Sequence, residues 1–224
     1  MKNPELIIVA CHAVFIGENK SDLYNDEKWI LFPFQKGEPG YYIEHLKAGI
    51  DLLSKKENSV LIISGGKTRP EAKEISEAES YYKIAEIENW FGFKIKKDRV
   101  YLEEYARDSF ENLLFSICRF YQLFNKHPLK IYMITWEFKK DRYDFHRKSI
   151  GISSDEFEFI GVNNPEDLDL AKENEKRTIL EFKSDPFGIQ GILKEKKHQR
   201  NPLNLIHPYS CDRFNYILSE LKFK

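Results

Sequence analysis

The chain has 224 residues, with 35 Lys and Arg against 36 Asp and Glu, a formal net charge of −1, and 42% hydrophobic residues. A chain of this length buries about 70% of its unfolded surface without help from disulfides or metals, and charge so evenly balanced excludes the broad basic face of a general nucleic-acid binder. The three cysteines, Cys11, Cys118 and Cys211, show no disulfide framework and no zinc spacing; no apolar run approaches the ~20 residues of a membrane span, so a cytoplasmic protein is expected.

Taken in chain order, residues 6–10 form a continuous apolar run rich in β-branched side chains, as a strand buried on both faces does. Residues 13–40 break the pattern with Gly17, Pro33, Gly37, Pro39 and Gly40 among Trp29, Phe32 and Phe34. So long a loop in a compact domain is usually functional. It is expected to fold over the ligand pocket as a lid, with Gln35 beside the ligand. Residues 41–54 place Ile43, Leu46, Ile50 and Leu53 at helical spacing. A second strand at 60–63 ends in Ser64-Gly65-Gly66, and Ser76 with Glu79 opens a helix over 76–90 as a capping box. A third strand at 99–103, a helix over 109–124, a fourth strand at 131–135, a helix over 139–148, a fifth strand at 157–162 and a helix over 165–182 follow. Residues 184–224 read as an arm packed on the body. Strands alternating with helices define an α/β fold of three layers, with a mainly parallel central sheet of about five strands. One domain is expected over 1–224.

In open parallel sheets, ligands bind beyond the carboxyl ends of the strands. The first strand stops at Cys11-His12, the second at Ser64-Gly65-Gly66-Lys67-Thr68-Arg69, the third at Glu103-Glu104 and the fourth at Thr135. The two glycines permit positive φ and let backbone N–H groups converge on an anion. Lys67 and Arg69 add cationic donors beside them. This turn is not a Walker A loop, which needs a glycine where Leu61 stands. Glu77 follows a serine cap that does not require it, so it is a candidate acid or base. Glu103 is the other. Asn112, one turn into the helix after the third strand, faces back toward the strand ends. His12, Gly65, Glu77, Asn112 and Thr135 are expected to line one cavity. No His-x-His cluster suggests a metal, and no motif names a cofactor.

The order Ser64-Gly65-Gly66, Ser76-Glu77-Ala78, Leu102-Glu103, Ser109-Phe110-Glu111-Asn112, then Thr135-Trp136-Glu137-Phe138 with Arg142 resembles the domain of unknown function 218 family, the YdcF/SanA-like proteins. Cys11-His12-Ala13, Phe34-Gln35, His45 with Gly49, Asp185-Pro186-Phe187-Gly188 and Arg200-Asn201-Pro202 are similar to its soluble fungal and eukaryotic branch. The resemblance implies a Rossmann-like fold with a strand-end pocket, and no agreed reaction. Three departures stand out: no membrane anchor is seen, Cys11-His12 replaces a Gly-Gly pair, and Lys139 stands where the family has a histidine. Two readings follow. In the first, an enzyme acts on a small anionic or nucleotide-like ligand held by His12, Gln35, Ser64, Gly65, Gly66, Lys67, Arg69, Asn112, Thr135 and Arg142, with Glu77 and Glu103 as acid and base. In the second, the same pocket binds or senses a metabolite without catalysis.

Overall fold

The computed structural model describes residues 4–222. In chain order the strands and α-helices are β1 (Glu5–Ala10), β2 (Val14–Phe15), β3 (Trp29–Ile30), α1 (Pro39–Lys55), β4 (Ser59–Ser64), α2 (Glu77–Ile87), β5 (Val100–Glu103), α3 (Ser109–Phe124), β6 (Ile131–Thr135), α4 (Lys140–Ser149), β7 (Phe157–Gly161), α5 (Leu168–Ser184), α6 (Gly191–Gln199) and α7 (Asn215–Glu220). Five of the strands form one parallel sheet in the order β5-β4-β1-β6-β7. All five parallel strands fall where the apolar runs place them.

Alternation along β1 divides the core. Leu6, Ile8 and Ala10 face α3, with Phe110, Leu113, Leu114 and Ile117. Ile7, Val9 and Cys11 face α1 and α2, with Leu46, Ile50, Ala78 and Tyr81. Both faces of the sheet are therefore covered, which explains why β1 and β4 read as unbroken apolar runs. Helix α1 reaches β1 because Gly49 carries no side chain: a Cβ there would lie 2.4 Å from Val9 Cγ2 and 3.4 Å from Leu61 Cδ1. Gly49→Ala is expected to cost about 1–3 kcal/mol by overpacking, read as a lower urea midpoint at unchanged slope. A midpoint equal to wild type would show that α1 can move away freely.

Two expectations are corrected. Helix α2 ends at Ile87, not at 90, because Asn89, Trp90 and Phe91 turn into the left-handed region at φ 46°, 56° and 55°. Trp29 is not part of a lid: it is 4% exposed, donates Nε1–H to the Leu23 carbonyl at 2.9 Å, and packs on Phe15, Tyr42 and Tyr81. Its strand β3 pairs antiparallel with β2, so part of the long loop is a small ribbon extending the core.

The C-terminal arm packs against α3. Leu193, Cys211, Phe214, Ile217 and Leu218 join the same core. Lys197 of α6 is fully buried, donating to the Phe187 carbonyl at 2.6 Å, with Glu111 Oε1 at 3.3 Å and Asp108 Oδ2 at 3.4 Å. Gly188, at φ +64°, leaves room for that ammonium, since a Cβ there would stand 2.8 Å from Lys197 Nζ. Among the described residues, no helix is long and apolar enough to cross a membrane.

Candidate functional site

The chain leaves β1 toward α1 and β4 on one side of the sheet and leaves β6 toward α4 and β7 on the other. Neighbouring strands whose connections run in opposite directions open a crevice at their carboxyl ends. His12 and Thr135 occupy those ends. Thr135 Oγ1 lies 3.2 Å from His12 Nε2, and Lys139 Nζ lies 3.5 Å from His12 Nδ1. Burial, with Lys139 beside it, pushes the His12 pKa well below its usual value. The ring is therefore neutral, an acceptor at one nitrogen and a donor at the other.

Arg69 enters from the loop after β4 and is 6% exposed. Its Nη2 donates to Gln35 Oε1 at 3.2 Å and to the His12 carbonyl at 3.5 Å, and its guanidinium carbon lies 3.4 Å from the centroid of the Phe32 ring. The Arg69 Nε is buried with no hydrogen-bond partner among the described residues. Gln35 is 5% exposed and donates Nε2–H to the His12 carbonyl at 2.8 Å. Phe34 beside it is 75% exposed. Glu77, at the first turn of α2, accepts from Thr68 Oγ1, and burial raises its pKa against the pull of Thr68 and Arg69.

These residues line a cleft of about 180 Å³ together with Asn112, Ser109, Lys139, Arg142 and Arg200. Arg142 is paired with Glu175 at 2.5 Å, and Arg107 with Glu111 at 2.6 Å. Arg69, Lys139 and Arg200 then share the cleft with two carboxyls, Glu77 and Asp108, the second already 3.4 Å from the buried Lys197 ammonium. Burial, with Arg142 nearby, lowers the Lys139 pKa to about 7. His12, Phe34, Gln35, Lys139 and Arg142 also border an adjoining lobe of about 450 Å³, walled by Tyr41, Trp136, Phe138, Leu170 and Ala171. The two lobes adjoin, one richer in cationic side chains and the other mixing aromatic rings with the carboxylates Glu38, Glu166, Asp167 and Glu175.

His12, Gln35, Arg69, Glu77, Asn112 and Arg142 thus meet on one cleft. Ser64 and Thr135 stand behind it, fully buried: Ser64 Oγ lies 2.9 Å from Asn112 Oδ1 and 2.7 Å from Glu103 Oε2. The others lie elsewhere. The Gly65 amide donates to the Glu103 carbonyl at 3.0 Å and the Gly66 amide to the Ala106 carbonyl at 2.8 Å, so neither is aimed at an anion. Neither glycine has a positive φ. Gly65 is needed for close packing, since a Cβ would lie 2.7 Å from both Cys11 Cβ and Glu77 Cβ. Lys67 reaches Glu74 at 3.0 Å. Glu103 is fully buried and accepts from the Tyr105 amide at 2.7 Å and the Tyr209 hydroxyl at 2.9 Å; burial raises its pKa to about 7. Because it does not line the cleft, it cannot share a ligand atom with Glu77. The Cys11 thiol lines the cleft, but burial and the nearby Glu77 and Glu103 raise its pKa well above the usual value, so it is no thiolate nucleophile.

Sequence reasoning passed over Lys139 and Arg200. The departure from the family histidine was the signal for Lys139. For Arg200 the signal was the Arg200-Asn201-Pro202 stretch of the arm.

The fold and cleft define a parallel α/β protein with a cationic pocket at its topological switch point. The chain is similar to an uncharacterized protein of Saccharomyces cerevisiae, YOR238W, at 29% identity over 266 aligned residues, covering 94% of this chain and 88% of the yeast protein. No family model and no solved structure matches the chain.

Proposed function

We propose that the chain is a cytoplasmic relative of the domain of unknown function 218 proteins and binds a small anionic or nucleotide-like compound in the strand-end cleft. One observation carries this reading: Arg69 is almost fully buried at the cleft wall with an N–H donor that the protein leaves unsatisfied. A buried unpaired donor costs about 1–3 kcal/mol, and an anionic oxygen would remove that cost. Lys139 and Arg200 add charge at the same end, and Trp136, Tyr41 and Phe138 offer flat apolar surface for a ring at the other. Catalysis would fall to Glu77, whose raised pKa suits proton exchange with a bound ligand.

Calorimetric titration with sulfate tests the anion site, because sulfate does not titrate near neutrality. Anions favour charged Lys139, whose pKa lies at about 7. Affinity is therefore expected to be full below that pH and to fall by about tenfold between roughly pH 6.5 and 8.5 as the amine loses its proton. Adenosine monophosphate is expected to bind more tightly than sulfate at each pH, since the ring gains the aromatic lobe. Absence of sulfate binding at pH 6.5, or an affinity that rises with pH, would refute the reading.

A further inference from the structure

Outside the cleft, the end of α3 and the arm bring together a second cluster. His127, in the loop between α3 and β6, and Cys211 and Asp212, just before α7, offer ligand atoms that all lie within 4.8 Å of one another. His127 Nε2 and Asp212 Oδ1 are 2.8 Å apart. The His127 ring is seated between Tyr121 and Phe214, at centroid distances of 5.0 and 6.2 Å. Cys211 is buried, and its sulfur hydrogen bonds with that of Cys118 on α3. None of these residues lines the cleft.

We propose that His127 Nε2, Cys211 Sγ and Asp212 Oδ1 bind one Zn²⁺, with solvent in the fourth position. Thiolate and imidazole select zinc over magnesium or calcium, which take oxygen ligands. Ligand atoms around tetrahedral zinc stand about 3.5 Å apart. The His127–Asp212 pair therefore opens by less than about 1 Å when the metal replaces its hydrogen bond. On binding, the Cys211 thiol gives its proton to solvent as the Zn–S bond forms, and His127 binds as neutral imidazole with its proton on Nδ1. Cys118 S–H donates to the bound thiolate, as supporting partners of metal ligands do. Asp212, with its side chain 66% exposed, gives the ion a way in. Cys211 and Asp212 belong to the arm and His127 to the body, so the metal ties the two together.

The full chain, kept reduced and supplied with zinc, should be equilibrated against a weak chelator and its metal measured by mass spectrometry. About one zinc per chain is expected. C211S should lose it, and D212N, at an exposed position that folding tolerates, should lower the affinity by at least about tenfold. Cobalt(II) should give a thiolate-to-cobalt absorption band that C211S lacks. R69A should bind zinc as wild type does, which separates this site from the cleft. Wild type holding less than about 0.2 zinc per chain, or C211S and D212N matching it, would overturn the proposal.

Discussion

Arg69→Ala is expected to weaken sulfate binding by about 100-fold, since removing one partner of a buried charged contact costs 2–5 kcal/mol. The residue is 6% exposed, and every contact it makes belongs to the cleft: Gln35, the His12 carbonyl and the face of Phe32. Its loss removes a guanidinium from the cationic end and one partner of Gln35, which keeps its bonds to the Phe32 amide and the His12 carbonyl. Arg69→Lys keeps the charge but not the planar fork, and should fall between the two. The measurement is calorimetric at pH 6.5, with thermal melting alongside to show that the variant is folded. An affinity within about threefold of wild type in a folded Arg69→Ala would place the anion elsewhere.

The largest effect on stability is expected from Lys197→Met. The ammonium has 0% exposure and lies within 3.4 Å of Asp108 and 3.3 Å of Glu111. Removing one member of a buried ion cluster costs about 3–5 kcal/mol, because the opposite charges stay buried. Arg107 still binds Glu111, which puts the effect at the lower end, a fall in melting temperature of about 10 °C for a chain this size. The acid limb gives a second check. Burial works against the charge of Glu111, but Lys197 and Arg107 outweigh it and hold the pKa at about 2. A carboxyl depressed in the folded state contributes stability above its unfolded pKa of about 4.5, lost as pH falls through about 2. Lys197→Met should flatten that slope. A variant as stable as wild type with the same acid limb would show that the arm is held by its apolar contacts alone.

The sheet was legible in the sequence because its middle strands are covered on both faces, so Leu6 to Ala10 and Val60 to Ile63 had to be apolar without interruption. The strand-end rule then pointed to His12, Glu77 and Asn112. It could not show which way a main-chain amide points. Ser64-Gly65-Gly66 looks like an anion loop, yet its amides complete the turn against the Glu103 and Ala106 carbonyls. Glu103 carries the same lesson for side chains: a carboxyl at a strand end can face the interior when two hydroxyls and an amide receive it. Arg200 was hidden because it arrives from the arm, where no periodic pattern fixes a direction. His127 and Cys211 were hidden because 84 residues separate them.

The strand order also bears on how the chain emerges during synthesis. β1 is made first but lies at the centre of the sheet, between β4 and β6. Its second neighbour ends at Thr135, so at about 5–20 residues per second roughly ten seconds pass before both edges of Leu6-Ile7-Ile8-Val9-Ala10 can be paired. Through that interval the nascent chain carries an apolar strand with open hydrogen-bonding groups, the feature that recruits other strands and leads to aggregation. The demand on chaperones therefore falls on Leu6 to Ala10, before Lys139, Arg142 and Arg200 of the cleft have been made.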